Sequence, residues 1–289
     1  MIASVAKVIA PSAFTHGGDN AFAPEWTLDV WVIAPLAIAL ALFAIGYARV
    51  RGRATRSPLS SRQIALFLGG WCVLVAALVS PLHRAGERSF AAHMFEHELL
   101  MLVAAPLLVA ARAQGVLLWA FPHRTRLGLA RFFQTRAIAG TWRGLTDPII
   151  STALQAAALW LWHAPPLFDL ALRSDGWHIA QHLSFLITAL LFWSAMFNLH
   201  RRRTRPMTII GCLFVTALIS GALGALMAFS TSPWYAGYRA LQLDAFGFTP
   251  TQDQQIAGLL MWIPGGLVHL GVALALLAGA LQTERSDAV

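Results

Sequence analysis

Seven long runs of apolar residues constrain this chain more than any other feature of its sequence. A helix needs about 20 consecutive apolar residues to cross a bilayer. The runs cover residues 29–48, 62–80, 94–112, 148–164, 177–198, 207–230 and 255–281, and the fourth is the shortest. We therefore predict an all-α, polytopic membrane protein, with a bundle of about seven transmembrane helices in one membrane domain, residues 29–281.

The composition supports a membrane environment and argues against a soluble protein. Hydrophobic residues make up 57% of the chain and charged residues 12%, about half of the charged share of a typical soluble domain. The net charge of +8 would suggest nucleic acid in a soluble protein. Here the basic residues lie in short blocks between the apolar runs, so we expect the lipid bilayer as a partner and no nucleic acid. Two cysteines without a CxxC motif do not indicate a disulfide scaffold.

The basic residues also predict the orientation of the chain. Sixteen of the 21 lysines and arginines fall in the loops after the first, third and fifth runs or in the C-terminal tail. Cytoplasmic loops carry this excess in membrane proteins. We therefore place the chain in the bacterial inner (plasma) membrane, with a periplasmic N-terminus that is retained. The predicted parts are a periplasmic tail (1–28), a cytoplasmic amphipathic segment (113–147), a periplasmic loop (231–254) and a cytoplasmic tail (282–289).

Histidines gather at one predicted face of the membrane. Six of the ten fall at the periplasmic ends of the second to fifth runs: His83, His93, His97, His163, His178 and His182. His93 and His97 are four residues apart, so they share one helix face, about 6 Å apart along the axis. His178 and His182 repeat this spacing on a second helix at the same depth.

Two such pairs can surround one metal ion or one haem. Imidazole suits copper, zinc and iron, and a polar side chain inside a membrane is costly unless it has a partner. The first-choice metal ligands are His93, His97, His178 and His182, with His163 next. A single histidine at a helix end is more often an interfacial residue, and His123 and His200 on the cytoplasmic side should take no part.

Further histidines and methionines are secondary candidates. They are His83, Met94, Met101, Met227, Met261 and His269. Thioether sulfur favours Cu(I), which would make copper in its cuprous form the preferred ion. Methionine is also ordinary core filler, and His269 can equally be hydrogen-bonded inside the bundle.

Several polar and breaking residues allow more than one interpretation. Glu96 and Glu98 flank His97; we expect a solvated helix start, and the alternative is a carboxylate that orients an imidazole. Asp253 should cap or open the last helix. Residues 262–266 (WIPGG) predict a kink or a break within that helix.

Enzyme signatures do not occur in the sequence. We find no GxSxG, P-loop, HExxH or dinucleotide-binding glycine pattern. We therefore predict that the protein is not an enzyme, and that any bound metal serves binding or transfer.

Four stretches, in this order, resemble the CtaG family of caa3-type cytochrome c oxidase assembly factors. The resemblance extends over roughly residues 30–280 and is carried by HMFEHELLM at 93–101 with APLL at 105–108, LWHAPPLFD at 161–169, HIAQH at 178–182 with LFW at 191–193, and GLLMWIPGG at 258–266. It implies a role in maturing haem–copper oxidases, in supplying or retaining copper for the oxidase copper centre. Cytochrome c oxidase subunits would then be partners, with a periplasmic copper donor as a further candidate.

The sequence thus favours a metallochaperone that binds copper at the periplasmic histidines for oxidase assembly in the respiratory chain. One alternative is a haem-binding membrane electron carrier or oxidoreductase, with two axial histidines on separate helices. The other is a transporter or scaffold whose histidines hydrogen-bond between helices. A haem would give a strong visible absorption band, and structural histidines would hold no stoichiometric metal.

Overall fold

The all-α membrane bundle is confirmed. The computed structural model describes residues 25–53, 59–197, 206–241, 243–244 and 246–287. No strand occurs among these residues. Six helical stretches are long and apolar enough to cross a membrane: Val30–Arg51 (α1), Ser61–Leu78 (α2), Phe90–Ala111, Asp175–Met196 (α11), Pro206–Ala228 (α12) and Pro250–Gly279. The last belongs to a longer helix, Pro250–Asp287 (α14), and the chain is a multi-pass membrane protein.

The fourth predicted run forms a helix that is shorter than the other six. It is α9, Pro148–His163, with sixteen residues. Asp147 caps its start through the backbone N–H groups of Ile149 and Ile150, and Pro148 suits the first helical position. The helix ends after His163 because Pro165 disfavours helical backbone at the preceding residue. It packs against α11 and α12, so it belongs to the bundle although it falls short of a full span.

Short helices connect the long ones. They are α3 (Pro81–Gly86), α6 (Gln114–Trp119), α7 (His123–Gln134), α8 (Arg136–Leu145), α10 (Pro165–Arg173) and α13 (Ala236–Arg239). The predicted amphipathic segment thus forms α6, α7 and α8, and no residue of α7 or α8 is buried. The guanidinium of Arg126 lies 3.6 Å above the ring of Trp119. Attachment of this segment to the cytoplasmic leaflet stays a prediction.

The third spanning helix changes its winding in the middle. It consists of α4 (Phe90–Glu98), a π-helical turn and α5 (Ala105–Ala111). The N–H of Ala105 bonds the carbonyl of Leu100, and Pro106 has no N–H to offer. The carbonyl of Met101 therefore lacks a backbone donor, and the buried indole of Trp193 donates to it at 2.8 Å. This bond ties α11 to the helix that carries His93 and His97.

Helices α12 and α14 approach each other closely at two glycines. A Cβ atom on Gly224 would lie 2.7 Å from the carbonyl oxygen of Gly258, and one on Gly258 would meet the carbonyl of Gly224. Small residues allow such close backbone approach between membrane helices. Of the kink or break predicted at residues 262–266, the break does not occur: α14 continues through Pro264. A kink at this position stays a prediction.

The main hydrophobic core lies between the third spanning helix and α9, α10, α11, α12 and α14. Large aromatic side chains fill its upper part, where α4, α11 and α14 begin and α9 ends; we call this the histidine end of the bundle. Phe90, Phe168, Phe185 and Tyr235 are all buried there.

Some predictions fall on residues that the structure does not describe. Residues 1–24 of the predicted N-terminal tail, with His16, and residues 198–205, with His200 and an arginine block, lie outside the described ranges. The orientation of the termini and the boundaries of the terminal tails stay predictions.

Candidate metal centre

Two pairs of histidines meet at the histidine end of the bundle. His93 and His97 on α4 have ring centroids 4.4 Å apart, and His178 and His182 on α11 are separated by the same distance. Between the helices, His93 lies 5.2 Å from His178, and His97 lies 4.9 Å from His182. We call these four residues the histidine cluster. The paired four-residue spacing thus correctly predicted which side chains come together.

Three members of the cluster form a group that could hold one metal ion. His93, His178 and His182 each offer a ring nitrogen, and these atoms lie within 4.8 Å of one another. Imidazole nitrogens bind transition metals at about 2.0–2.1 Å. Small rotations of the rings would bring all three nitrogens onto one ion.

A second group shares His182 with the first. The Nδ1 atom of His83, on α3, lies 2.9 Å from Oε1 of Glu96, and Nε2 of His182 lies 3.7 Å from the same oxygen. Burial lowers the pKa of His83, but the hydrogen bond and the negative charge of Glu96 outweigh this, so the pKa is raised above its usual value. These three residues form the second group that could hold a metal ion.

Glu96 contradicts the expectation of a solvated helix start. Its side chain is fully buried, and Glu98 is buried as well. The reason is that α4 begins at Phe90, four residues earlier than predicted, so Glu96 lies in the second turn. Helix α3 packs against α4 and places His83 beside the carboxylate. Glu96 is therefore placed to orient the imidazole of His83 through a hydrogen bond, and its carboxylate also lies near His182.

Most of the cluster's ring nitrogens lack a hydrogen-bond partner among the residues that the structure describes. These buried atoms are Nε2 of His93, Nδ1 and Nε2 of His97, Nε2 of His178 and Nε2 of His182. A buried polar atom without a partner costs about 1–3 kcal/mol. A metal ion would give several of these nitrogens a partner at once, so the donor set fits a nitrogen-liganded ion.

His163 lies beside the cluster, with its ring centroid 6.3 Å from that of His97. Both of its ring nitrogens already have partners. Nδ1 lies 2.6 Å from the carbonyl of Leu159, and Nε2 lies 3.2 Å from the sulfur of Met94. Direct ligation by His163 stays a prediction, and it would require Nε2 to leave Met94.

The remaining secondary candidates lie elsewhere in the bundle. Met101 and His269 line a separate cavity of about 30 Å³, together with Glu98 and Gln155. Gln155 Nε2 donates to the sulfur of Met101 at 3.1 Å, and Nδ1 of His269 donates to the carbonyl of Gly265 at 2.7 Å. Met227 and Met261 are buried in the main hydrophobic core. The structure thus brings His83 to the cluster and places Met94 against His163.

Asp253 holds the start of α4, a role that sequence reasoning missed. It lies in the first turn of α14, as predicted, but it caps another helix. Its carboxylate accepts from the Ser89 hydroxyl at 2.8 Å and from the N–H groups of Phe90 and Ala91 at 2.6 and 2.9 Å. Ser89 itself caps the N–H of Ala92. Three first-turn donors of the helix that bears His93 and His97 are therefore satisfied.

An aromatic cover closes the cluster at the histidine end of the bundle; its residues are Phe90, Phe168, Tyr235 and Tyr238, all buried. The phenol of Tyr235 donates to the carbonyl of His163 at 3.0 Å, and that of Tyr238 donates to the carbonyl of Gly86 at 2.5 Å. Burial raises the pKa of both phenols, so both remain protonated donors. Tyr238 also lies 3.3 Å from Nδ1 of His93, which connects the cover to the cluster.

The chain is similar in sequence to proteins from three mycobacteria. Uncharacterized proteins of Mycobacterium bovis and Mycobacterium tuberculosis are each 27% identical to the chain over 276 residues, and one of Mycobacterium leprae is 25% identical over 277. These matches cover 90–92% of the chain and 40% of each relative. The chain thus spans about two fifths of the length of these relatives. No solved structure matches.

The family comparison covers every helix that contributes to the histidine cluster. The family described as cytochrome c oxidase caa3 assembly factor (Caa3_CtaG) matches residues 41–283. The match includes the whole of α3, α4, α9 and α11, and α14 as far as residue 283. It confirms the resemblance expected from the four sequence stretches. The chain therefore belongs to the cytochrome c oxidase caa3 assembly factor family.

Proposed function

We propose that this protein supports the assembly of a haem–copper oxidase by binding copper at the histidine cluster and passing it to the oxidase copper centre. The observation that carries this proposal is the set of buried ring nitrogens on α4 and α11 that have no hydrogen-bond partner within the described ranges. Membership in an assembly-factor family supplies the cellular context. Under the predicted orientation, the cluster would lie at the periplasmic face.

The charge of the site favours a singly charged ion. Burying an ion is costly unless an opposite charge accompanies it. Glu96 is the carboxylate that belongs to the three-residue metal groups, where it accompanies His83 and His182. With His83 in its neutral form, as a metal ligand must be, one Cu(I) ion beside one carboxylate would leave the buried site close to neutral, and imidazole is a suitable ligand for copper.

The arrangement of donors also favours transfer over permanent storage. Two potential ligand groups, His93–His178–His182 and His83–Glu96–His182, share His182. An ion could therefore move from one group to the other while one ligand stays bound. A carrier needs such alternative coordination, because it has to release the ion to its acceptor.

Haem binding, the first alternative, has less support from the geometry. A bis-histidine haem needs a porphyrin between its two axial imidazoles. The ring centroids of neighbouring cluster residues are 4.4–5.2 Å apart, as in direct ring contact. A flat macrocycle would have to force α4 and α11 apart, whereas a single ion would not.

A strain that lacks this protein tests the proposed function. It should still make the oxidase subunits and insert haem, but its oxidase should be poor in copper and low in activity. Added copper should restore activity in part, because a high concentration can replace a carrier. Protein with His97→Ala should accumulate in the membrane without restoring activity. Protein with His123→Ala should restore it, because His123 lies on exposed helix α7.

The copper content and activity of the oxidase in the deletion strain can also refute the proposal. Full oxidase activity with a normal copper content in the deletion strain would overturn the proposal, provided that the strain has no second copy of such a factor. If the His123→Ala protein failed as well as the His97→Ala protein, this would indicate general damage to the protein. The experiment would then give no support to a specific role of the histidine cluster.

A further inference from the structure

A large cavity leads sideways to the histidine cluster. It has a volume of about 570 Å³ and lies between the first half of α1, the end of α2, helix α3 and the first half of α11. We call it the lateral vestibule; its apolar walls include Trp31 and Leu36 of α1, Leu78 of α2 and Ile179 of α11. Its size would admit a hydrated ion, or an ion with small ligands.

The vestibule reaches one side of the site. His83, His178 and His182 line it, and His83 and His182 retain side-chain exposures of 14% and 10%. His93 and His97 do not line it and are almost fully buried. The less buried histidines, His83 and His182, therefore lie between the vestibule and the more deeply buried His93 and His97.

The aromatic cover closes the cluster from another direction. The rings of Phe168 and Tyr235 lie 4.1 Å apart, and that of Phe90 lies 4.8 Å from Tyr235. The hydroxyls of Tyr235 and Tyr238 donate to backbone carbonyls. The carboxylate of Asp169 accepts from the N–H groups of Ala236 and Gly237 at 3.3 Å and so holds the segment between the two tyrosines. An ion that entered through this cover would have to break these contacts.

The rim of the vestibule carries an excess of negative charge. Asp29, Glu87 and Asp175 line it, together with one arginine, Arg84. Arg84 pairs with Glu87 at 3.0 Å, whereas Asp29 and Asp175 form no salt bridge with any other described residue. At the inner end, the unpartnered Nε2 of His182 is buried. Acidic side chains that line a cleft raise the local concentration of cations.

We infer that the lateral vestibule is the route by which a cationic metal enters and leaves the histidine cluster. The rim carboxylates attract the ion, His83 and His178 receive it, and His182 passes it to His93. This inference rests on the proposed copper-binding function and specifies how the same site exchanges its ion. Coordination bonds alone are exchanged along this route, so no electron transfer is needed.

Graded obstruction of the vestibule tests the route. The full-length protein in detergent would carry Cys72→Ser, because Cys72 is exposed whereas Cys212 is buried, and Ile179→Cys on the vestibule wall. The probe is Cu(I), supplied as its cationic acetonitrile complex. A methyl-sized thiol reagent should leave loading nearly unchanged, and a bulky maleimide should abolish most of the initial loading rate. Copper loaded before the modification should remain bound and should leave more slowly to a chelator.

A matched control lies on the same helix. Ile187 of α11 is 53% exposed and does not line the vestibule. The Ile187→Cys protein, with the same bulky adduct, should load copper at the unmodified rate. A similar loss of rate in both proteins would mean that the adduct damages α11 in general, and would overturn the route.

The rim charges provide a second, independent measurement. The double variant Glu87→Gln and Asp175→Asn removes one carboxylate that has no salt bridge and leaves Arg84 without its partner. It should load Cu(I) about tenfold more slowly at low ionic strength. The difference should shrink as salt screens the charges. Arg84→Gln should have the opposite effect and speed loading. Equal loading rates in the wild-type protein, the double variant and the Arg84→Gln protein would contradict attraction of the ion by the rim carboxylates.

The two proposals fail in different ways. If the unmodified protein binds no copper, the proposed function is wrong. If it binds copper and the Ile179→Cys protein with its bulky adduct loads at the normal rate, the copper site stands and the vestibule is not its entrance. Absence of any reaction at Ile179→Cys would also overturn the route, because an open vestibule exposes this position.

Discussion

Replacing Asp253 with alanine should destabilise the start of the helix that carries His93 and His97. The Asp253 carboxylate accepts two buried backbone N–H groups and the Ser89 hydroxyl across the interface between α14 and α4. A buried donor that loses its partner costs about 1–3 kcal/mol, so two N–H groups give about 2–6 kcal/mol in the free energy of unfolding. Asp253→Asn keeps one acceptor oxygen and should lose about half as much.

The assay is denaturant-induced unfolding in detergent micelles, followed by circular dichroism and tryptophan fluorescence. Asp147→Ala is the matched control. It also removes a helix cap with two hydrogen bonds, but that cap is exposed and local, so its loss should cost only about 1 kcal/mol. The Asp253→Ala protein should also lose copper affinity, because the first turn of α4 positions His93.

Equal stability of the Asp253→Ala and wild-type proteins would refute this reasoning. It would mean that water replaces the carboxylate at no cost, and that α4 does not depend on α14 for its start. A loss no larger than that of Asp147→Ala would likewise reduce Asp253 to an ordinary surface cap.

Three further predictions concern packing, the buried carboxylate and orientation. Gly258→Ala should lower the free energy of unfolding by about 1–3 kcal/mol, because the new methyl group meets the backbone of α12. Gly266→Ala is the control: its methyl group has free space, so stability should be unchanged or rise by up to about 1 kcal/mol. Equal unfolding curves for the two variants would contradict this. Glu96→Gln should keep the fold and weaken Cu(I) binding about 10–100-fold in competition with a chelator, and unchanged affinity would remove the carboxylate from the site. A reporter fused after residue 289 should read cytoplasmic and one inserted at Gly237 periplasmic; the reverse readings would place the histidines in the wrong compartment.

The histidine pairs were predictable from the sequence because their geometry is local. A spacing of four residues places two side chains on a common helix face. Because the two pairs lie at the same depth in the membrane on two spanning helices, they come into contact when these helices pack with those faces together. The same reasoning located His83 near the cluster, since it follows the second helix directly. These features depend on helix geometry and on the thickness of the bilayer.

The partners of the histidines were not predictable in this way. Asp253 contacts the start of α4 from 162–164 residues further along the chain, and the spacing of residues carries no information about such a contact. Glu96 was expected in solvent because the predicted helix began at residue 94, whereas the Ser89 cap starts it at Phe90. Met101 and His269 share a separate cavity because the π-helical turn alters the face that Met101 presents.

The length of α9 illustrates a further limit of hydropathy. Its residues are apolar enough for a span, but Pro165 ends the helix at sixteen residues. A membrane helix shorter than the bilayer can be accommodated by local thinning of the bilayer. Its last residue, His163, thereby comes to lie beside Met94 at the edge of the histidine cluster.

The copper content of the purified protein tests the central claim most directly. Protein loaded with Cu(I), desalted and subjected to metal analysis should retain copper in stoichiometric amount and show no haem absorption band. His182→Ala should lose most of this copper, because His182 belongs to both potential ligand groups, whereas His123→Ala should retain it. Wild-type protein without stoichiometric copper, or equal retention by the His182→Ala protein, would contradict a copper site at the histidine cluster.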